Sequence, residues 1–294
     1  MDAADLRIFA AVARTGSMSK AAAELGTVQS NVTARIRALE ERLGVELFER
    51  TNRGATLTAA GLRLRPYPDR VAGLLEDAKR AVADEGTPSG PLTIGSLETT
   101  AALRLSSVLA EFVAAYPAVD LSLRTGTTHE LIEQTIEHRL DGAFVCGPVN
   151  HPDLRVDPFF REELVVLTAP GVADFDPLVR QGDLRIIVLR ASCSYRQHLE
   201  ALLARRGIVG VRHLEFGTLE AIVSCVSAGL GVTLLPEGLI GPVWRRGRVR
   251  VHRLPGGEGS VETVFIRHRD AYVSSALSAF LDIARPVLAR QAAE

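Results

Sequence analysis

Polar and basic side chains are concentrated on one face of a helix-forming stretch near the start of the chain. The apolar side of this stretch repeats at helical spacing through Val32, Ile36, Leu39 and Leu43. The opposite side carries amide, hydroxyl and guanidinium groups from Gln29, Ser30, Thr33, Arg35 and Arg37. Such groups hydrogen-bond to base edges and to phosphate oxygens. The spacing therefore favours recognition of double-stranded DNA.

Two preceding helical segments must hold this face in position. The first has its apolar face at Leu6, Phe9 and Val12 and ends at Gly16. The second runs from about Met18 to Leu25 and can be capped by Ser17. Gly26 supplies a tight turn, because glycine adopts positive φ without steric cost, and Thr27 is placed to cap the third helix. Two helices joined in this way form a helix-turn-helix, and Lys20 on the second helix is a candidate DNA contact.

The run from Leu47 to Thr58 predicts a wing, a two-stranded ribbon with an apolar anchor and a basic tip. Arg50 and Arg53 at this tip can reach backbone phosphate. Residues 1–65 contain ten Lys and Arg against seven Asp and Glu, a net charge of +3, whereas the whole chain has a net charge of −1. Positive charge is therefore concentrated where DNA would lie.

The motif Leu-Phe-Glu-Arg-Thr-Asn-Arg-Gly at 47–54, followed by Leu-Thr-Ala-Ala-Gly at 57–61, resembles the LysR-type transcriptional regulators, and 294 residues is also that family's usual length. The resemblance implies an α/β protein in which a winged helix-turn-helix and a linker helix precede an effector domain. That domain is expected to be periplasmic-binding-protein-like, with two Rossmann-like subdomains. Three positions of the third helix depart from the family pattern: Ser30 replaces a frequent Pro, Ala34 a frequent Arg and Arg35 a frequent Gln. The base preference therefore cannot be copied from relatives.

The predicted organisation has three parts. The DNA-binding domain covers 1–61, the linker helix and hinge cover 62–90, and the effector-binding regulatory domain covers 91–294. The linker helix is expected from Thr58 to about Glu85, with Pro66 and Pro68 bending or breaking it. In the resembled family this helix forms a homodimer, and a homotetramer is expected as the working state. Packing of the helix on its own regulatory domain is the alternative.

Strands and helices alternate after Pro91, which predicts parallel sheets with right-handed crossovers. The resemblance implies subdomain I at 91–167 and 266–294 and subdomain II at 168–265, with crossing strands near Thr168 and Phe265. A small-molecule effector would bind between the subdomains, at the carboxyl ends of strands.

Several residues directly follow predicted strands and are candidates for this effector cleft. They are Thr99, Thr100, Thr128, Cys193, Ser194, Arg196, Phe216 and Thr218. Hydroxyl groups at helix starts favour an anionic effector, but they also serve as simple helix caps. Arg196 can pair with a carboxylate or can be a solvated surface charge. Cys193 is expected to be a pocket-lining thiol rather than a redox sensor, because no second cysteine lies nearby in sequence.

Composition and missing motifs argue against other classes of protein. No run of about 18 apolar residues occurs and the start of the chain is not a signal peptide, so we expect a cytoplasmic protein without a membrane partner. No familiar catalytic or nucleotide-binding motif occurs, so we expect no enzyme and no cofactor. His129, Glu133 and Glu137 share a helix face that is more typical of solvated surface than of a metal site. A pI near 6.7 argues against a non-specific architectural DNA-binding protein.

The leading hypothesis is therefore a regulator that couples DNA binding to a small-molecule effector. A solute-binding or enzymatic module with an incidental helix-turn-helix is the alternative. RNA polymerase remains open as a further partner.

Overall fold

The computed structural model describes residues 1–51, 54–175, 177, 184–189, 194–240, 244 and 247–293. The chain divides into two compact units. The amino-terminal unit comprises residues 1–82 and 137–139, and the regulatory unit comprises residues 83–136 and 140–294. Apolar clusters form separately within each unit.

Three helices and a ribbon begin the amino-terminal unit. They are α1 (Ala3–Thr15), α2 (Met18–Glu24), α3 (Gln29–Leu43), β1 (Phe48–Thr51) and β2 (Gly54–Leu57). Asp2 and Asp5 form a reciprocal capping box at the start of α1, and Gly16 ends the helix at a φ of 64°. The Ser17 hydroxyl caps α2, and Gly26 makes the following turn at a φ of 65°. The predicted winged helix-turn-helix is confirmed.

The start of α3 differs from the prediction that Thr27 caps it. The cap position is Val28, whose side chain makes no capping hydrogen bond. The Thr27 hydroxyl oxygen instead accepts a hydrogen bond from the Asn31 side-chain amide at 3.0 Å. Because Thr27 lies one residue before the cap position, its hydroxyl is bonded to a side chain of the first turn rather than to a backbone N–H.

The ribbon is followed by two consecutive helices. β1 and β2 pair antiparallel, with Thr51 opposite Gly54. A Cβ atom on Gly54 would lie 2.5 Å from the Gly16 carbonyl oxygen, so only glycine fits at this contact. Thr58 caps α4 (Ala59–Leu64), and α5 (Tyr67–Ala83) follows. The helix predicted across this region is broken after Leu64, next to Pro66, as the proline pair indicates.

The regulatory unit alternates strands and helices. In chain order these are β3 (Gly90–Ser96), α6 (Glu98–Thr100), a π-helical turn (Ala101–Leu105), α7 (Ser106–Ala115), β4 (Val119–Thr125), α8 (Thr128–Ile136), β5 (Gly142–Cys146), β6 (Leu154–Thr168), β7 (Arg185–Val188), α9 (Ser194–Arg205), β8 (Arg212–Glu215), α10 (Leu219–Ser227), β9 (Thr233–Pro236), β10 (Arg250–Arg253), β11 (Ser260–His268) and α11 (Ser275–Ala293). β10 was not expected, because its four residues include only one apolar side chain, Val251.

The sheet is mixed rather than purely parallel. Its order is β10-β6-β11-β5-β3-β4, with β9 also paired to β6, while β7 and β8 pair separately. The pairs β3–β4, β3–β5 and β7–β8 are parallel, as expected. β6 and β11 pair antiparallel with each of their neighbours. They are the long strands that join the two halves of the unit.

The pairing of β6 shows where the chain crosses between these halves. Up to Glu163 β6 pairs with β11; from Leu164 it pairs with β9, and from Val165 also with β10. The crossing on β6, at Glu163 and Leu164, lies a few residues before the one expected near Thr168. The matching position on β11, Ser260, lies a few residues before the one expected near Phe265. The start of β6 lacks a hydrophobic run because charged residues alternate along it, so the pattern indicates only its apolar end. Residues 90–163 with 260–293 are called the first lobe below, and residues 164–259 the second lobe.

Apolar side chains fill the interior of each lobe. In the first lobe the Phe144 and Phe265 ring centroids lie 5.0 Å apart, and those of Phe112 and Phe280 lie 5.3 Å apart. In the second lobe the end of β6 packs with β7, β9 and the inner faces of α9 and α10. These interiors fix the strand ends and helix starts that face the space between the lobes.

Candidate functional site

The outward face of α3 forms a shallow polar groove. Five residues line it: Gln29, Ser30, Thr33, Ala34 and Arg37. Thr33 is half-buried and the others are exposed, whereas the opposite face of α3 is buried in the core of the unit. The Ser19 hydroxyl donates a hydrogen bond to Gln29 Oε1 at 2.7 Å, which holds the amide at the corner between α2 and α3. Lys20 lies exposed on α2. The structure thus brings four predicted DNA contacts, Gln29, Ser30, Thr33 and Arg37, onto one accessible face.

Arg35 has a different environment from the rest of this set. Its guanidinium lies 2.7 Å from the buried carboxylate of Asp5 and 3.3 Å from that of Asp2. Arg42 reaches the second oxygen of Asp5 at 3.3 Å. Asp5 is 1% exposed, so α3 supplies two cations to a carboxylate inside the unit. This geometry places the Arg35 side chain between α3 and α1, and Arg35 is not among the residues that line the outward groove.

Of the two predicted wing arginines, Arg50 and Arg53, the structure describes the position of Arg50 alone. Arg50 lies on β1 opposite Ala55 in the antiparallel ribbon. Arg53 lies outside the described residues. The ribbon itself is anchored by Phe48, which is buried against Phe9 with ring centroids 5.2 Å apart.

A cleft separates the two lobes of the regulatory unit. It contains about 670 Å³ not occupied by protein atoms, including its open mouth. The first lobe lines it with Leu97, Glu98, Thr99, Thr125, Gly126 and Thr127, and the second with Ile187, Val188, Leu189, Ser194, Tyr195, Arg196, Leu199, Thr233, Leu234 and Leu235. Apolar surface dominates this lining. A concave apolar site with a few convergent polar groups is typical of small-molecule binding.

Two hydroxyl pairs bridge the cleft from lobe to lobe. The Thr99 and Tyr195 hydroxyl oxygens lie 3.2 Å apart, and the Ser194 hydroxyl donates to Thr128 Oγ1 at 2.8 Å. The Cys146 N–H also donates to Thr128 Oγ1, at 3.3 Å. Ser194 and Tyr195 are consecutive at the start of α9, so one helix end holds both bridges. The structure therefore brings Thr99, Thr128 and Ser194 together, as the sequence predicts.

Arg196 contributes a cation to the cleft, and its guanidinium is hydrogen-bonded to Glu200 on the same helix. Its Nε donates to Glu200 Oε1 at 2.9 Å, and His213 Nε2 lies 2.7 Å from the same oxygen. Burial opposes ionisation of Glu200, but the hydrogen bonds from Arg196 and His213 outweigh it and lower the pKa of that carboxyl. Glu200 is therefore a charged partner shared by two basic side chains.

Four described residues among the predicted effector contacts, Thr100, Thr128, Phe216 and Thr218, are not part of the cleft lining. Thr100 is buried on α6 beside Thr99 but is not part of the lining. The Phe216 N–H donates to the Val188 carbonyl at 3.0 Å, and its ring is half-buried outside the cleft. Thr218 is exposed, and its hydroxyl caps α10 by accepting from the Ala221 N–H at 3.2 Å. Cys193 lies outside the described residues. The hydroxyl group of Thr218 therefore serves as a helix cap.

Sequence reasoning missed most of the lining. The sequence pattern does not single out Tyr195, and its position between the predicted contacts Ser194 and Arg196 is the one signal that the sequence offers for it. The aliphatic lining residues Ile187, Val188, Leu234 and Leu235 are buried or nearly so and lie in strands. In a sequence they look like ordinary core positions, so their exposure to a cleft cannot be read from the pattern.

The helix α5 carries apolar side chains that its own unit leaves uncovered. Leu74 is 50% exposed, Leu75 48% and Val82 90%. Leu62 on α4 and Tyr67 at the start of α5 are also more than half exposed. Such a stripe is unusual on a helix that stays in water and is typical of an interface.

The remaining candidates behave as surface groups. His129 and Glu133 are exposed and lie 3.4 Å apart, while Glu137 pairs with Arg139. Within the described part of the chain, no three His, Cys, Asp or Glu residues are grouped so that they could hold a metal ion. Among the helices described, none combines the length and apolar character that crossing a bilayer requires.

Two family models match separate stretches of this chain. Residues 3–62 match the model of the "Bacterial regulatory helix-turn-helix protein, lysR family", and residues 85–289 match the "LysR substrate binding domain". Two Bacillus subtilis (strain 168) proteins are similar over nearly the whole chain. The HTH-type transcriptional regulator YofA is 45% identical, covering 96% of this chain and 98% of its own, and the HTH-type transcriptional regulator YusT is 44% identical, covering 98% and 96%.

One solved structure adds evidence on the fold. Full-length CbnR complexed with its target DNA covers 98% of this chain and 100% of its own, with a TM-score of 0.67 and 24% identity.

Proposed function

The chain belongs to the LysR family of transcriptional regulators, and on this premise we propose that it binds promoter DNA through α3 and adjusts that binding to a small molecule held between its regulatory lobes. The single observation that carries the proposal is the accessible polar groove of α3, set on a buried apolar face. A helix of this kind fits the major groove of B-DNA. The complex of CbnR with its target DNA supports the same use of this fold.

The residues of the DNA-binding surface divide by role. We propose that Gln29, Ser30, Thr33 and Arg37 contact base edges, because they share the groove on α3. Lys20, Arg50 and Arg53 are proposed as phosphate contacts, which add affinity without sequence preference. Arg35 contributes by holding α3 on Asp5.

The regulatory unit is proposed to bind its effector in the cleft lined by Thr99, Ser194 and Arg196. The two hydroxyl bridges hold the lobes at the angle that the structure shows. A ligand that binds differently to open and closed arrangements shifts the balance between them. The strands β6 and β11 join the lobes and are the elements that a change of angle would bend.

The assembly is proposed to be a homodimer or homotetramer that forms through α5. The exposed Leu74, Leu75 and Val82 support this, because a second α5 would cover them. RNA polymerase is a further proposed partner.

The proposal also includes a division into a DNA-binding domain at 1–61, a linker at 62–90 and a regulatory domain at 91–294. It includes the absence of enzymatic activity and a cytoplasmic location, where a promoter-binding protein meets its DNA.

The test is operator binding by the full-length protein, measured by gel shift and footprinting upstream of its own gene and neighbouring genes. Arg37→Ala should weaken binding to the protected site by about 1–3 kcal/mol and relax specificity at one base pair. Arg205→Ala is the matched control, because it removes the same charge from an exposed position on α9. Equal losses in both variants, or no protected site with the wild-type protein, would contradict the proposal.

A further inference from the structure

The charges on the cleft lining are few and lie on opposite lobes. Among the described lining residues, Arg196 is the cation, on the second lobe, and Glu98 is the anion, on the first. A ligand that spans the cleft would meet one favourable and one unfavourable site for a negative group. A second carboxylate near Glu98 would be repelled. The arrangement therefore fits a ligand with a single anionic end.

The rest of the lining fits an apolar body. The side chains of Leu97, Leu199, Leu234 and Leu235 face the same space, together with the aliphatic end of β7. Burying apolar ligand surface against such side chains is favourable by roughly 25 cal/mol per Å². A compact polar ligand such as a sugar would leave most of its hydroxyl groups without partners here, which is costly.

The polar groups near Arg196 can receive a carboxylate. The hydroxyls of Ser194 and Tyr195 lie beside it in sequence and currently bond to Thr128 and Thr99 across the cleft. Each can turn to donate to a carboxylate oxygen, since hydroxyl groups rotate to suit their acceptors. Hydrogen bonds to an ionised acceptor are about twice as strong as neutral ones, so the exchange is favourable.

Glu200 and His213 make it possible for Arg196 to change partner. If Arg196 turned to a ligand carboxylate, Glu200 would need another basic side chain to remain paired. Glu200 keeps such a partner, because His213 Nε2 lies 2.7 Å from the oxygen that Arg196 now contacts. The pair therefore positions Arg196 without binding it permanently.

We propose that the ligand of this cleft is a small monocarboxylate with an apolar body. Its carboxylate pairs with Arg196 and the hydroxyls at the start of α9, and its body lies against the leucines. Glu200 and His213 act as positioning residues. The inference rests on the proposed function, because it names the effector class of the proposed effector cleft.

The experiment measures binding of four probes to the full-length protein by isothermal titration calorimetry. Hexanoate and benzoate carry one carboxylate on an apolar body, hexanamide is the neutral counterpart of hexanoate, and adipate adds a second carboxylate. We expect at least one monocarboxylate to bind, and hexanamide and adipate to bind at least about tenfold more weakly than hexanoate or benzoate. Binding of neither monocarboxylate up to about 10 mM, or equal binding of hexanamide or adipate, would overturn the proposal.

Variants separate a ligand contact from a change in folding. Arg196→Gln should reduce affinity for the monocarboxylate at least about tenfold and leave that for hexanamide unchanged, since only the charged probe uses the guanidinium. Tyr195→Phe should weaken the monocarboxylate, with Tyr116→Phe as its matched control outside the cleft, and Arg205→Gln controls for charge. An unchanged ratio of hexanoate to hexanamide affinity in Arg196→Gln would refute the role of Arg196.

Footprinting of the same samples separates this inference from the proposed function. If the wild-type protein protected no DNA site, the proposed function would be contradicted. Intact operator binding with no preference for monocarboxylates would contradict only the ligand class.

Discussion

The substitution Asp5→Asn tests how α3 is held in the orientation that presents its polar groove. Asp5 is 1% exposed, closes the capping box of α1, and lies 2.7 Å from Arg35 and 3.3 Å from Arg42. Asparagine keeps the shape but removes the charge, and its NH₂ group would face a guanidinium. The carboxylate therefore connects the first helix of the unit to the recognition helix.

The expected cost follows from these contacts. The two arginine side chains are 37% and 50% exposed, so solvent screens each ion pair and each contributes no more than about 0.5–1 kcal/mol. Weakening of the capping box adds about 0.5–1 kcal/mol. The total is about 2 kcal/mol, which in a unit of this size lowers Tm by roughly 8–16 °C.

Differential scanning calorimetry of the full-length protein measures this change. Glu24→Gln is the matched control, because Glu24 also pairs with an arginine, Arg14, but both side chains are well exposed. Its cost should stay below about 0.5 kcal/mol. If Asp5→Asn were no more destabilising than Glu24→Gln, the buried carboxylate would not be what holds α1 to α3.

The same reasoning separates Arg35 from Arg37 in function. Measured well below Tm, Arg35→Gln should change operator affinity by less than about threefold, whereas Arg37→Gln should lose about 1–3 kcal/mol of binding. A variant at Arg35 with normal stability and an equally large loss of affinity would show that Arg35 contacts DNA, and would refute the assignment made from its ion pairs.

Three further outcomes are expected. Asp84 accepts hydrogen bonds from the backbone N–H groups of Ser275 and Gly86, which lower its pKa to about 2. Its ionised form should therefore stabilise the fold fully above the ordinary pKa of 3.8, and this stabilisation should be lost as the pH falls toward 2. Asp84→Asn should abolish this part of the acid denaturation profile. Leu74→Asp should shift the full-length protein toward monomer in analytical ultracentrifugation, and an unchanged mass would exclude α5 as the interface. Arg53→Ala should weaken binding to all DNA sequences alike and lower the salt slope by about one unit, whereas altered sequence preference would contradict its role on phosphate.

The sequence was most informative where local chemistry decides the structure. Gly16, Ser17 and Gly26 occur at helix ends where glycine or a small hydroxyl is favoured, and the structure has the helix boundaries there. The apolar face of α3 likewise determined which side chains face outward. The environment of Arg35 could not be predicted in this way, because its partners Asp2 and Asp5 lie thirty or more residues away in sequence and their proximity depends on how α1 packs.

The regulatory unit was less predictable for a related reason. Its strands lie where apolar residues cluster, but the first half of β6 mixes charged and apolar residues and so lacks the apolar run that predicts a strand. The cleft lining depends on which buried positions face a space between lobes rather than a packed interior. Leu234 and a core leucine are indistinguishable by type, and only the tertiary structure separates them.

The placement of the hydroxyl bridges gives a physical reason for coupling between ligand and lobe angle. Both bridges lie at the start of α9, and each joins a side chain of the second lobe to one of the first. Between the lobes the sheet is continuous through β6, whose partners change at Leu164, so the backbone there keeps its hydrogen bonds while its direction can vary. Arg104 fixes the first-lobe side of this point, because it bonds to the buried Glu162 at 3.0 Å and to the Gln291 carbonyl. A ligand that hydrogen-bonds to the hydroxyls of Ser194 and Tyr195 therefore removes the contacts that set the angle between the lobes. It leaves the contacts within each lobe in place. Its effect should be a rotation of the lobes about the crossing strands rather than a local unfolding.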